Sequence, residues 1–567
     1  MARRWGKLST ELIPSNPIGL STTGILLLTL AVFLTVFQWS GMYLAPLLRR
    51  LAHRPMLCMA ALAAAPICLR LVLLSHHPVP VPAVYDEFSH LLVADTLRHF
   101  RFANPPHAQP QFFETFFALQ RPTYSSIYPI GQGLTLAFGW LIFGTPWAGV
   151  LMSTAAFCGL CYWMLRGWTT PVWALLGGIF AVLEFGPLNP WTNSYWGGAY
   201  SAVAGCLVFG ALPRLRRTHS LRYGALLGAG LALHLLSRPF ESVFLLLSAI
   251  LFLLPDWRGM MKPGLIAALV CLPAVATTMV QNRQVTGDWL KLPYALSQYR
   301  YGVPASLTFQ PRPVPHGALT REQDLDYKMQ RAFFNTREFD TAQSYFQRLV
   351  YRIRYYRFFL YPPLYIAILI FVIGIRSWPD AWIALTLVGF ALGTNFYPLF
   401  LTHYIASLTC VFVLVSVEGL RGLSRMRGGA AAARAVVGLC CAQFVLLYGA
   451  YASGAERTAE RRRDVARRLD AVPGKLLVLV RYWPQHIFQD EWVYNAADID
   501  GSRIVWARDL GDEEDRKLLA YYPDRRVLML EPDARPPRVG DYRPEPLKPV
   551  ETAPKNKAPQ MVLEQVR

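Results

Sequence analysis

Apolar residues in this chain gather in long, nearly unbroken runs, each about the length a helix needs to cross roughly 30 Å of hydrocarbon. Such runs fall near 24–47, 55–75, 146–165, 171–187, 196–213, 221–237, 240–255, 263–281, 357–376, 379–393, 396–416 and 431–452. They predict about twelve transmembrane helices. Segment 129–143 is apolar but short and Gly-rich, which suits a helix lying along the membrane face. The pattern changes after residue 453. Lys475–Val480, Ser502–Leu510 and Arg525–Asp533 read as short strands, with a helix at Asp512–Tyr522 and a charged helix at Ala459–Asp470 before them. The expected fold is an all-α polytopic membrane protein with juxtamembrane helices in its first outer loop and a small C-terminal α/β extramembrane domain. Its divisions are an N-terminal segment 1–54, a transmembrane domain 55–452, an α/β domain 453–535 and a disordered Pro- and Lys-containing tail 536–567.

Charge sets an orientation on this plan. Only 16% of the 567 residues are charged, against about 25% in soluble domains. From Gly454 onward 20 acids meet 21 bases, so the formal excess of +20 lies almost entirely in the apolar part. Its arginines and lysines sit between alternate runs: Arg49, Arg50 and Arg54; Arg166; Arg214, Arg216, Arg217 and Arg222; Arg258 and Lys262; Arg376; Arg421, Arg425 and Arg427. The positive-inside rule places all of these on the cytoplasmic side. Loops 76–145 and 282–356 and the tail from Ser453 are then extracytoplasmic. Run 24–47 fits this scheme poorly, because its basic N-terminus would lie outside. No basic stripe marks a soluble module, so nucleic acid is not an expected partner. All nine cysteines lie in apolar runs, which leaves no disulfide framework. Cys158 and Cys161 lack the second pair a metal site would need.

Acids are scarce in the spans, where Glu184 is the main one, and they collect with histidines in loop 76–145. Ionisable groups at a membrane interface escape the cost of burial in hydrocarbon, so chemistry is expected there. Val84–Phe100, VYDEFSHLLVADTLRHF, reads as an amphipathic helix starting at Asp86, with His90 one turn later on the same face. Asp86 suits a general base, with Glu87 or Glu114 in support. It equally suits an N-cap.

The form DExxxxxxAxTLxxF, followed by ANPPH at Ala103–His107, resembles the GT-C superfamily of membrane glycosyltransferases, which includes protein O-mannosyltransferase-like and aminoarabinose-transferase-like enzymes. Phe112–Gly133, which contains Glu114 and Tyr128, resembles the second half of that family's first loop. Leu236–Ser242, LSRPFES, resembles its short Arg-Pro outer turn. The resemblance implies transfer of a sugar from a polyprenyl-phosphate carrier to an acceptor hydroxyl of a glycan, lipid or protein at the outer face of the inner membrane. Inversion is implied too, with Asp86 as base, Glu87 as its motif partner and Glu114 as second acid. An inverting transfer needs one base opposite a phosphate leaving group. Cations should meet that phosphate: Arg238, Arg354, Arg357 and His403 are candidates, with His90 and Tyr128 near the base. No metal or cofactor is required by the sequence; a divalent metal at Asp86, Glu87 and His90 stays open because some relatives use one. Two other readings are a transporter or flippase of lipid-linked sugars and a glycan polymerase or ligase using the same carriers.

Overall fold

The computed structural model describes residues 46–333, 340–454 and 460–542. Run 24–47 falls outside them but for its last two residues, as does the tail from 543. The membrane part opens with α1 (Pro55–Val72), and α2 (Tyr85–Arg98) follows in the first loop. Next come α3 (Ile130–Phe143), α4 (Pro146–Leu165), α5 (Pro171–Phe185), α6 (Ala199–Thr218), α7 (Leu221–Leu235), α8 (Pro239–Leu253) and α9 (Trp257–Thr286). The second large loop holds α10 (Pro293–Tyr301), α11 (Arg321–Phe333) and α12 (Ala342–Ile353), and α13 (Tyr365–Ile373), α14 (Trp378–Thr394), α15 (Thr409–Ser424) and α16 (Gly429–Ser453) complete the bundle. Among the described residues, five helical stretches are long and apolar enough to cross a membrane: Pro55–Ser75, Pro146–Leu165, Pro239–Thr286, Thr402–Ser424 and Gly429–Ser453. The chain is a multi-pass membrane protein.

The stretch Pro239–Thr286 turns back on itself. His219 meets Asp256 at one end (Nε2 to Oδ2 2.5 Å), while Gly224 lies against Pro263 and Gly228 against Ala267. Those two contacts run in the same order along α7 and α9, so the chain reverses at the 3-10 turn Leu254–Asp256. Two expected spans are redrawn. The run 357–376 is not one helix: Ala342–Phe359 and Pro362–Ile373 meet at 110°, because Pro362 and Pro363 remove two N–H donors where a helix would need them. The run 396–416 starts late. Residues 395–401 are irregular, and buried Arg352 satisfies their carbonyls by donating to Thr394 O at 2.8 Å, to Leu399 O at 3.1 Å and to Tyr397 O. Segment 129–143 is the helix α3, which presses Gly133 against Val93 of α2 and Gly139 against Gly149 of α4 and leaves Phe138, Leu141 and Ile142 exposed.

The C-terminal unit is a four-stranded sheet in the order β4-β3-β5-β6, numbered after the short first-loop pair β1 (Ala118–Leu119) and β2 (Ser125–Ser126). β3 (Leu476–Val480), β4 (Ile504–Arg508) and β5 (Arg526–Glu531) are parallel, and β6 (Arg538–Asp541) is antiparallel to β5. β6 corrects the expected boundary at 535: Val539 pairs with Leu530, so the first residues of the presumed disordered tail extend the sheet. β3 is buried at every position, as a central parallel strand covered on both faces must be. One face packs under α17 (Glu460–Asp470) through Val465 and Leu469. The opposite face, with Leu477 and Leu479, packs on Leu92 of α2 and on Phe112, Phe113 and Tyr124 of the first loop. The unit is thus docked onto the loop that carries the acidic pair.

Small residues let the membrane helices touch backbone to backbone. A Cβ on Gly419 would lie 1.9 Å from the carbonyl oxygen of Ala367, so α13 and α15 have no room for a methyl group between them. Gly419→Ala is expected to destabilise the bundle by about 1–3 kcal/mol, as overpacking does. A lower melting temperature of the detergent-solubilised protein, with the C-terminal unit intact, is the measurement.

Candidate active site

The acidic pair divides its labour. Helix α2 begins after Val84, not at Asp86, and its N-terminal N–H groups need acceptors. Glu87, three residues in, reaches back: its Oε2 accepts from Ala83 N at 2.8 Å and Val84 N at 3.1 Å, the return arm of a capping box. Its Oε1 accepts from Tyr195 N at 3.0 Å, which ties the helix to the loop before α6. Both oxygens of Glu87 are therefore committed to the backbone. The expectation of Glu87 as a catalytic acid gives way to a positioning role, and the N-cap alternative for Asp86 falls with it.

Asp86 is free of that duty and points elsewhere. Its Oδ1 accepts from the Tyr128 hydroxyl at 2.5 Å, and the same Tyr128 ring stacks on His90 with centroids 4.2 Å apart. One phenol thus binds both residues of the predicted helix face. Burial raises the Asp86 pKa to about 6, against the opposing pull of the Tyr128 hydroxyl and the positive charge of Arg238. His90 goes the other way, to about 3, through burial and the same Arg238, so its ring is neutral at pH 7. Its Nδ1 is buried without a hydrogen-bond partner among the described residues.

Arg238 stands at the turn between α7 and α8. Gly131, two residues after Pro129, donates its N–H to Leu236 O at 2.7 Å, and a side chain at 131 would meet that oxygen at 2.8 Å. This close backbone approach, which only glycine permits, brings the turn bearing Arg238 beside the segment bearing Tyr128. The guanidinium lies 4.6 Å above the ring of Tyr404 and forms no ion pair among the described residues. His403, next to Tyr404, is buried with its ring stacked on Trp196 at 5.9 Å.

The other candidates lie apart from this cluster. Glu114 accepts from the Tyr301 hydroxyl at 2.8 Å; burial raises its pKa, opposed chiefly by Tyr301 and Gln323. Asp326 on α11 is a further buried carboxyl, whose pKa burial raises to about 7, opposed by Gln330 and assisted by the charge of Asp86. Nothing in the local sequence marks it, because REQDLDYKMQ at Arg321–Gln330 has the look of a solvated helix. Arg354 and Arg357 are exposed, Arg354 with its guanidinium stacked 3.3 Å over Tyr351. They are placed for contact with the surroundings of the bundle, and Arg238 is the cation acting on Asp86. Among the described residues no group of three His, Cys, Asp or Glu side chains is placed to hold a metal ion.

No family model and no curated protein matches the sequence. Solved structures do match. That of ArnT from Cupriavidus metallidurans bound to undecaprenyl phosphate is 12% identical, with 83% of this chain and 92% of that one covered and a TM-score of 0.50. ArnT in the apo state gives 12%, 82%, 92% and 0.49. The archaeal oligosaccharyltransferase AglB from Archaeoglobus fulgidus, in complex with an inhibitory peptide and a dolichol-phosphate, gives 11%, 87%, 70% and 0.36. At such identity the likeness is one of fold: this chain shares the fold of the ArnT structure.

Proposed function

We propose that the protein transfers a sugar from a polyprenyl-phosphate carrier to an acceptor hydroxyl at the extracytoplasmic face of the inner membrane, with inversion and with Asp86 as the base. The observation that carries this reading is the pairing of Asp86, raised to about 6 and held by Tyr128, with an Arg238 that has no ion-pair partner among the described residues. A half-buried guanidinium that forms no ion pair among the described residues favours an anion of fixed geometry, and phosphate meets its fork in two hydrogen bonds. Asp86 then takes the acceptor proton as the new glycosidic bond forms and the bond to phosphate breaks. The electron pair leaves with the phosphate, whose growing charge Arg238 stabilises. Neutral His90, stacked on Tyr128, offers Nδ1 to a substrate hydroxyl. A transporter, which places its polar groups at the midplane on broken helices, finds less support here, since the acid and its partners sit in the loops.

Asp86→Asn is expected to lower transfer by about 10²- to 10⁴-fold, with membrane insertion unchanged. The assay uses full-length protein in nanodiscs, a polyprenyl-linked lipid extract of the producing cells as donor, and mass spectrometry of the product. Transfer at the wild-type rate by the D86N variant would remove Asp86 from the mechanism. The pH profile follows from the sign of the shift: a base must be ionised, so kcat rises with pH through about 6 and is lost below it. Arg238→Ala is expected to weaken binding of undecaprenyl phosphate by about tenfold or more, the value of a charge-assisted hydrogen bond; titration calorimetry on the same nanodiscs measures it.

A further inference from the structure

Between β3 and β4 the chain leaves the sheet of the C-terminal unit, and residues 491–497 run along α2 without helix or strand. An irregular segment keeps one shape only where its polar groups are taken up. Glu491, 1% exposed, does this at one end. Its Oε1 accepts from Trp492 N and Val493 N, both at 3.0 Å, and from the Tyr482 hydroxyl. Its Oε2 accepts from Arg508 Nη2 at 2.9 Å. Arg508, at the end of β4, also donates to Glu322 of α11 at 2.5 Å and to Glu114 O of the first loop at 2.8 Å. Asn495 anchors the other side, donating to Trp506 O at 2.7 Å and accepting from Trp506 N at 2.9 Å, as a neighbouring strand would. Tyr494 stands between the two anchors.

Tyr494 reaches the helix of the acidic pair. Its ring stacks on Phe88, two residues after Asp86, with centroids 4.3 Å apart and planes within 5° of parallel. Its hydroxyl donates to Phe116 O at 3.2 Å. Phe117, the next residue of that segment, is bound to α2 as well: its carbonyl accepts from the Ser89 hydroxyl at 2.7 Å. The Phe117 ring meets Tyr85 edge-on at 4.8 Å and Tyr128 at 5.8 Å, and Tyr128 is the phenol whose hydroxyl binds Asp86. Further along α2, Ala497 N donates to Asp95 Oδ2 at 2.7 Å, and Tyr124 of the first loop donates to Asn495 O at 3.0 Å. The C-terminal unit thus holds α2 and the segment 114–117 together, on either side of the residues that orient Asp86.

We propose that Tyr494 of the C-terminal unit is a positioning residue for the transfer reaction: its stack on Phe88 and its bond to Phe116 O fix the rotation of α2, so that Asp86 meets the Tyr128 hydroxyl. The proposal rests on the reading of Asp86 as base. Two residues along a helix are about 200° apart around its axis, so Phe88 leaves α2 on nearly the opposite side from Asp86. A hold on Phe88 therefore sets where Asp86 points. Glu87 fixes the start of the helix through its capping bonds, and it leaves the rotation to these side-chain contacts. A displacement of about 1 Å at a reacting group costs on the order of a hundredfold in rate. Arg238 is carried by a different element, the turn between α7 and α8, so binding of the carrier and placement of the base are separable.

The test takes two measurements on the full-length protein in the same nanodiscs. Titration with undecaprenyl phosphate gives the number of carrier sites and their affinity, and the lipid extract as donor gives kcat per titrated site. Tyr494→Ala is expected to lower kcat per site by about ten- to a hundredfold, with the affinity for undecaprenyl phosphate unchanged. Tyr494→Phe keeps the stack and is expected to recover most of the rate; a Phe variant as slow as the Ala variant overturns the role of the stack. A residue that only supports the fold would reduce the number of sites and leave the rate per site at the wild-type value, and that result overturns the proposal. Phe88→Ala is expected to reproduce the loss, and combining it with Tyr494→Ala to add little, because partners in one contact are not additive. Losses that multiply overturn positioning through Phe88. If Asp86→Asn is inactive while Tyr494→Ala keeps the wild-type rate per site, the base assignment stands and the positioning role alone fails. If Asp86→Asn is fully active, the base assignment itself fails.

Discussion

An ionisable carboxyl held away from water near an arginine that forms no ion pair among the described residues is the constraint around which the loop-bearing half of this protein is arranged. Burial favours the protonated form of Asp86. The Tyr128 hydroxyl at 2.5 Å and the field of Arg238 oppose burial and bring its pKa to about 6, so that the carboxylate is available at pH 7 and still basic enough to accept a proton. Each of these partners needs its own support. Tyr128 is fixed by its stack on His90 and by Gln281, which donates to its backbone oxygen at 2.9 Å. Arg238 is brought near by the contact of Gly131 with Leu236. The geometry of one acid therefore draws on α2, α3, α7 and α9 together.

The same constraint explains the scarcity of charge in the membrane part. Two of its arginines supply hydrogen bonds that irregular backbone segments lack. Arg352 serves the carbonyls of 394–399, and Arg70 donates to His77 O at 2.9 Å and Pro78 O at 3.1 Å where α1 gives way to the first loop. Non-helical backbone at membrane depth survives only when protein satisfies it. Arg238 differs from both because no carbonyl or carboxylate among the described residues takes up its guanidinium.

The C-terminal unit changes meaning once its contacts are seen. A parallel sheet needs both faces covered; α17 covers one, while the helix Asp512–Tyr521 and the first loop share the other. Its apolar face and the buried Arg508 make it a structural part of the loop assembly. The ion pairs of Arg508 with Glu322 and Glu491 lie almost wholly out of water, where losing one partner is far more costly than at a surface. Such a joint favours one geometry over its alternatives, which is what a site assembled from three distant segments requires.

Hydrophobic run length and the placement of arginines already determine a polytopic helical protein, because hydrocarbon thickness and the cost of charge in it act on sequence directly. The DE motif placed Asp86 and His90 on one helix face for an equally local reason, the 3.6-residue repeat. The breaks at Pro362-Pro363 and at 395–401 were less legible because apolar composition continues through them; the prolines end one helix, and Arg352 takes up the carbonyls freed at the other. Roles of neighbouring acids were not legible at all. Glu87 and Asp86 are adjacent and alike in charge, and which of them caps the helix depends on where its first turn begins. Asp326 lies in a segment that reads as solvated, yet it is buried, with Gln330 donating to its Oδ2 and neighbouring Glu322 paired to Arg508. Local forces are written along the chain, whereas the pairing of distant charges is settled only when folding removes the water between them.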